Sequence, residues 1–106
     1  MAFGINRREL NEWKSQVEKG EIAFLTHFWI DPRFRNSHAV TKAGCSDVSK
    51  LIRWGESYGL KKEWIHDYKN LPHYDLMGEL QIRVLKDHGL SSHIKKFNLE
   101  KKPADH

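Results

Sequence analysis

The sequence predicts an α/β fold, a small sheet of about three strands with helices packed on it in a single compact domain. Three observations lead there. Apolar residues recur at helical spacing in three separate segments. Runs rich in β-branched and aromatic residues lie between them, as strands require. The two kinds of segment alternate as helix, strand, strand, helix, strand, helix, which favours helices layered on a sheet.

The first helix is expected over residues 7–19. Asn6 stands at the cap position and Glu9 follows at capping-box spacing. Leu10, Trp13 and Val17 share one face, and Gly20 ends the helix. Residues 21–30 read as a strand whose near-continuous apolar character predicts burial on both faces. Asp31-Pro32 breaks that strand. A polar connection leads to a short alternating strand over 39–42.

Gly44-Cys45-Ser46 turns the chain, and Ser46 or Asp47 caps a second helix running to about residue 58. Val48, Leu51, Ile52 and Gly55 form its apolar face, and Gly59 stops it. A third strand is expected at 63–66, then a loop to Asp75, then a helix over 76–88 with Met77, Leu80, Val84 and Leu85 turned inward. Gly89 closes it, and Ser91 or Ser92 starts a short terminal helix whose Ile94 and Phe97 dock on the core. The domain is expected over 1–97, with 98–106 a flexible polar tail.

Composition narrows the classes. With 39% hydrophobic and 30% charged residues, the 106-residue chain can build one core and is not mostly disordered. No apolar run approaches the ~20 residues of a membrane span, and the N-terminal charges follow rather than precede the apolar residues, against a signal peptide. Cys45 is the sole cysteine, so no internal disulfide forms. Together these predict a cytoplasmic protein. The net charge of +4 is mild beside the dense basic stripe of a dedicated nucleic-acid domain. Glycine-rich phosphate loops, a Gly-x-Ser-x-Gly elbow and the standard zinc and calcium spacings are all absent.

Chemistry-bearing residues concentrate in Trp64-Ile65-His66-Asp67-Tyr68-Lys69-Asn70-Leu71-Pro72-His73-Tyr74-Asp75. Placed just before a helix, Asp75 would cap it, and His73 would feel the positive end of the helix dipole, which favours a neutral imidazole able to act as a base or ligate metal. The plainer alternative makes Asp75 only a cap, Pro72 a stiffener and Tyr74 packing. His66 and Asp67 point to opposite faces of a strand, and His66 approaches His73 if it faces the loop. Asp31 closes an apolar strand, where ligand groups gather in α/β sheets, or merely starts a turn. His27 reads as a satisfied core histidine. Cys45 beside a helix start is a weaker candidate nucleophile. Arg33, Arg35, Lys42, Lys61, Lys62 and Lys69, interleaved with Trp29, Phe34, Trp64 and Tyr68, are the set that would track a single-stranded nucleic acid.

From Gly59-Leu60-Lys61-Lys62-Glu63-Trp64 through Pro72-His73-Tyr74-Asp75-Leu76 to Asp87-His88-Gly89, the chain resembles small bacterial proteins of the YneQ type and a wider domain family marked by a C-terminal Pro-His-Tyr-Asp motif. The resemblance spans residues 24–90. It implies that Asp31 matches a strand-end aspartate, that Asp47 matches a helix-start aspartate, and that Trp64, Pro72, His73, Tyr74 and Asp75 match the last motif. It brings a fold and a site location, but no activity.

The expected function is a small domain with a His/Asp site for a phosphate-bearing or metal-bound ligand. His73, Asp31 and Asp75 would be its catalytic set, with Arg33, Asp47, His66 and Tyr74 contacting the ligand. A divalent metal is the cofactor such residues would take, and phosphoester hydrolysis the reaction. The rival expectation is a non-catalytic nucleic-acid-binding or protein-interaction domain. No membrane partner is expected, and sequence sets neither partner nor oligomeric state.

Overall fold

The computed structural model describes residues 2–3, 5–29, 38–68 and 70–99. Among the described residues, five strands form one sheet: β1 (Ala2–Phe3), β2 (Ala23–Trp29), β3 (His38–Gly44), β4 (His66–Tyr68) and β5 (Leu71–Leu76). Their spatial order is β1-β2-β3-β5-β4, and every pairing is antiparallel. Four α-helices accompany them among the described residues: α1 (Arg7–Glu18), α2 (Val48–Glu56), α3 (Gly78–Asp87) and α4 (Ser91–Lys96).

The expected architecture holds, with more strands than foreseen. The apolar run gives β2, which pairs with β3 from Ala23↔Gly44 to Trp29↔His38, so the second strand is longer than 39–42. The segment read as a third strand at 63–66 begins as a 3-10 turn over Lys62–Trp64, with β4 following. The segment read as a loop is a hairpin of β4 and β5, turned through Asn70 at φ 60°. Asparagine tolerates that left-handed backbone better than most residues. Pro72 misleads a sequence reading because proline donates no ladder bond. Here it is the second residue of β5, and its carbonyl accepts the Cys45 amide at 3.1 Å.

Helix α1 starts as expected. The Glu9 amide donates to Asn6 Oδ1 at 2.8 Å, and Glu9 Oε1 accepts from the Asn6 amide at 3.4 Å. Its Trp13 and Val17 are buried against Ala23 and Leu25, with Leu10 and Leu71 alongside. Trp13 Nε1 donates to the Ala23 carbonyl at 3.1 Å. Gly44 lets the helix come this close: a Cβ there would lie 2.8 Å from the Trp13 ring.

Helices α2, α3 and α4 cover the other face. Leu51, Val84, Ala43, Cys45, Tyr74 and Leu76 form its central cluster, and Phe28 meets Phe97 of α4 with ring centroids 4.7 Å apart. Strand β2 is therefore covered on both sides, as its continuous apolar sequence predicts. A chain of polar groups crosses this closed face. Gln81 Nε2 donates to Thr41 Oγ1 at 2.8 Å, the Thr41 and Thr26 hydroxyls meet at 2.8 Å, and Thr26 Oγ1 meets His93 Nδ1 at 2.8 Å. Gln81 donates at one end, and because a hydroxyl can accept two bonds, either sense along the Thr41–Thr26–His93 links satisfies the chain. Burial, with help from Lys96, lowers the His93 pKa, while Glu9 opposes the shift.

Candidate functional site

Antiparallel register places His66 of β4 directly opposite His73 of β5. Residues two apart on a strand share a face, so Asp75 joins them. The two imidazole rings stand 5.7 Å apart between centroids. His66 Nε2 lies 3.5 Å from Asp75 Oδ2, and His73 Nε2 lies 3.6 Å from Asp75 Oδ1. The two histidines therefore converge on the two oxygens of one carboxylate.

The arrangement is graded in exposure: the His73 side chain is 7% exposed, Asp75 34% and His66 63%. His73 is fixed from two sides. Its Nδ1 is 2.8 Å from the Leu71 carbonyl, and a carbonyl can only accept, so Nδ1 carries a proton. Trp13 of α1 packs edge-on against the ring, with centroids 6.3 Å apart. In the neutral imidazole, Nε2 must then present a lone pair toward the carboxylate.

Lone pair facing carboxylate is an arrangement completed by a cation. A proton on His73 is one way; a metal ion shared by both imidazoles and Asp75 is another. A backbone carbonyl holding the remote nitrogen of a ligating histidine is the usual support for such a ligand. Among the described residues, no group of three or more His, Cys, Asp or Glu side chains, as placed, could hold a metal ion, so a shared ion would require the exposed His66 side chain to move.

The other expected site residues separate. Asp75 does not cap the following helix: it lies within β5 opposite Lys42, and α3 begins at Gly78 without a side-chain cap. His73, being in the same strand, is not at a helix start either. Asp47 is a helix cap, accepting the Lys50 amide at 3.1 Å. Tyr74 is buried in the core on that closed face, where it packs against Gly55 and not beside His73. Cys45 is fully buried, which removes it as a nucleophile for a ligand. His27 is buried, its Nδ1 3.0 Å from the Phe28 carbonyl. Asp31 and Arg33 lie outside the described residues, as do Phe34, Arg35 and Lys69.

Two contributors escape a sequence reading: the Leu71 carbonyl, which has no side-chain signature, and Trp13, which reads only as core. One signal was available. Polar His73 and Asp75 alternate with buried Pro72, Tyr74 and Leu76 at period two, a strand pattern.

The chain is 56% identical over 99 residues to Uncharacterized protein YneQ of Bacillus subtilis (strain 168), covering 93% of this chain and 100% of that protein. No family model matches the chain, and no solved structure matches it. No helix among the described residues is long and apolar enough to cross a membrane.

Proposed function

The chain belongs to the YneQ family, and on that footing we propose that it is a ligand-binding domain whose site is His66, His73 and Asp75, taking a divalent metal ion. The observation that supports this reading is the fixed tautomer of His73. With its Nδ1 proton committed to the Leu71 carbonyl at 2.8 Å, neutral His73 turns a lone pair toward the Asp75 carboxylate that His66 also approaches. Bare phosphate fits less well, because Asp75 would repel it. An anion would enter as a companion of the metal. Nitrogen and carboxylate donors of this kind suit zinc, manganese or iron. Phosphoester hydrolysis is the chemistry such an ion could serve by polarising a phosphoryl oxygen.

Calorimetric titration of the metal-free protein with Zn2+ tests this. One ion per chain is expected, with at least a tenfold weaker Kd in His66→Ala and in His73→Ala. A ligand bound only by the folded state raises stability by about 2.7 kcal/mol at a hundred times its Kd, so Tm should climb with zinc in wild type and not in the variants. Neither heat nor a Tm shift with Zn2+, Mn2+ or Fe2+ overturns the reading.

A second reading, a surface for single-stranded nucleic acid, has one observation in its favour. Trp64 is 50% exposed, and Lys61 Nζ lies over its ring at 5.7 Å. Binding that weakens steeply with salt and is lost in Trp64→Ala would support it.

A further inference from the structure

Among the described residues, β1 pairs only with Phe28 and Trp29 of β2, so the rest of that edge is bare. The ladder fixes which groups face it. The Cys45 amide donates to the Pro72 carbonyl at 3.1 Å, so Cys45 turns its backbone groups toward β5. Peptide groups alternate sides along a strand, so Lys42 and Gly44 turn theirs toward β2. Leu25, opposite Lys42, therefore bonds back to β3, and Phe24 and Thr26 turn their amides and carbonyls outward. The Thr26 and Thr41 hydroxyls, 2.8 Å apart, agree with this, because side chains approach most closely in a non-hydrogen-bonded pair.

Among the described residues, no hydrogen bond reaches these outward groups of Phe24 and Thr26. Thr26 is only 2% exposed, and buried backbone groups are nearly always paired. Phe24 and Thr26 line a cavity of about 290 Å3, flanked by α1 on one face of the sheet and α4 on the other, with Trp13 and Phe97 in its walls. Glu9 of α1 and Lys96 of α4 both line it and meet at 3.4 Å. This strap leaves room for a compact body rather than for a chain running past it. The wall carries two carboxylates, Glu9 and Glu12, against the one ammonium of Lys96. Arg8, which pairs with Glu12 at 3.1 Å, is exposed and not part of the wall.

We propose that this cavity binds a free, amino-bearing nitrogen heterocycle of the nucleobase class, at a site that needs no metal and is independent of the histidine pair. Along the edge, the Phe24 carbonyl, the Thr26 amide and the Thr26 carbonyl present acceptor, donor and acceptor in turn. A ring nitrogen accepts from the Thr26 amide, and the adjacent amino group donates to a neighbouring carbonyl. The flat ring extends the sheet between Trp13 and Phe97. A volume at the small end of ligand pockets and an acidic wall exclude the sugar and phosphate of a nucleotide.

The test adds adenine to the full chain and follows the Phe24 and Thr26 amides and the Trp13 indole by NMR. Saturable shifts at all three are expected. 6-Dimethylaminopurine, which lacks the amino hydrogens, and adenosine monophosphate should each bind at least tenfold more weakly, since a site built on hydrogen bonds rejects an analogue without them. Ser92→Trp and Gln16→Trp fill the cavity from exposed positions on α4 and α1. Each should lose at least tenfold in affinity while keeping a dispersed spectrum, and either one serves if the other fails to fold. Signals unmoved by adenine overturn the inference. Equal binding of 6-dimethylaminopurine overturns the edge pairing, and unchanged affinity in a folded tryptophan variant places the ligand elsewhere and overturns the site. If an extended hexapeptide shifts the two amides and adenine does not, the edge accepts a strand and the inference falls.

Discussion

The two faces of the sheet treat their polar groups in opposite ways. Beneath α2, α3 and α4, the buried groups Thr26, Thr41 and Gln81 are linked to one another and end on His93. On the face shared with α1, His73 is just as buried as a residue, at 5% exposure, but only its Nδ1 has a donor–acceptor match. Its Nε2 is turned to a carboxylate and a second imidazole. Polar groups satisfied within the fold specify structure; a lone pair turned to a carboxylate is positioned for something that arrives. The closed face has its own exception. Among the described residues Tyr74 Oη has no hydrogen-bond partner, and burial pushes the Tyr74 pKa up.

The largest test of the contrast is steric. A Cβ at Gly55 would stand 2.7 Å from the Tyr74 ring, within the closed layer, so Gly55→Val should cost about 3 kcal/mol in urea unfolding. Gly44→Ala meets Trp13 at 2.8 Å, but only α1 holds that side. A small outward shift of the helix should limit the cost to about 1 kcal/mol. Equal losses would mean that both faces are equally rigid. Next, Gln81→Leu deprives the Thr41 hydroxyl of its donor and should cost about 2 kcal/mol. A neutral result would show that the polar chain is incidental.

Acid sharpens the contrast further. His93 and His27 both have pKa values lowered chiefly by burial, so the unfolded chain takes up protons first as pH falls. Their stabilising contribution is complete above about pH 6.5, the ordinary histidine value, and is lost as pH falls from there through the lowered values. Denaturant midpoints at pH 7.5 and 5.5 should therefore separate in wild type and separate less in His93→Gln. The smallest expected effect is that of Tyr74→Phe. Removing an unsatisfied hydroxyl should leave stability unchanged within about 0.5 kcal/mol, or raise it.

Much of this fold was legible in the sequence, because helices announce themselves locally. Asn6 and Glu9, the Leu10-Trp13-Val17 stripe and the Asp47 cap are all short-range signals. Strand β2 was legible for the same reason, through an unbroken apolar run. The β4–β5 hairpin was hidden by Pro72 and by its brevity, and with it went the correct role of Asp75. The His66–His73 approach could be stated only conditionally, since it depends on a register that no single segment encodes. The Gln81–Thr41–Thr26–His93 chain was invisible, because it joins residues up to 67 positions apart that carry no individual mark of partnership.

Strand β4 is three residues long and occupies the outer edge of the sheet, yet it supplies one of the three converging side chains. An edge this short frays readily, and its backbone amides should exchange with solvent faster than those of β3. Whatever draws His66 toward His73 would also pin that margin to its neighbour, acting as a clasp on the hairpin. Occupancy could then be read remotely, as slowed deuterium uptake at residues 66–68.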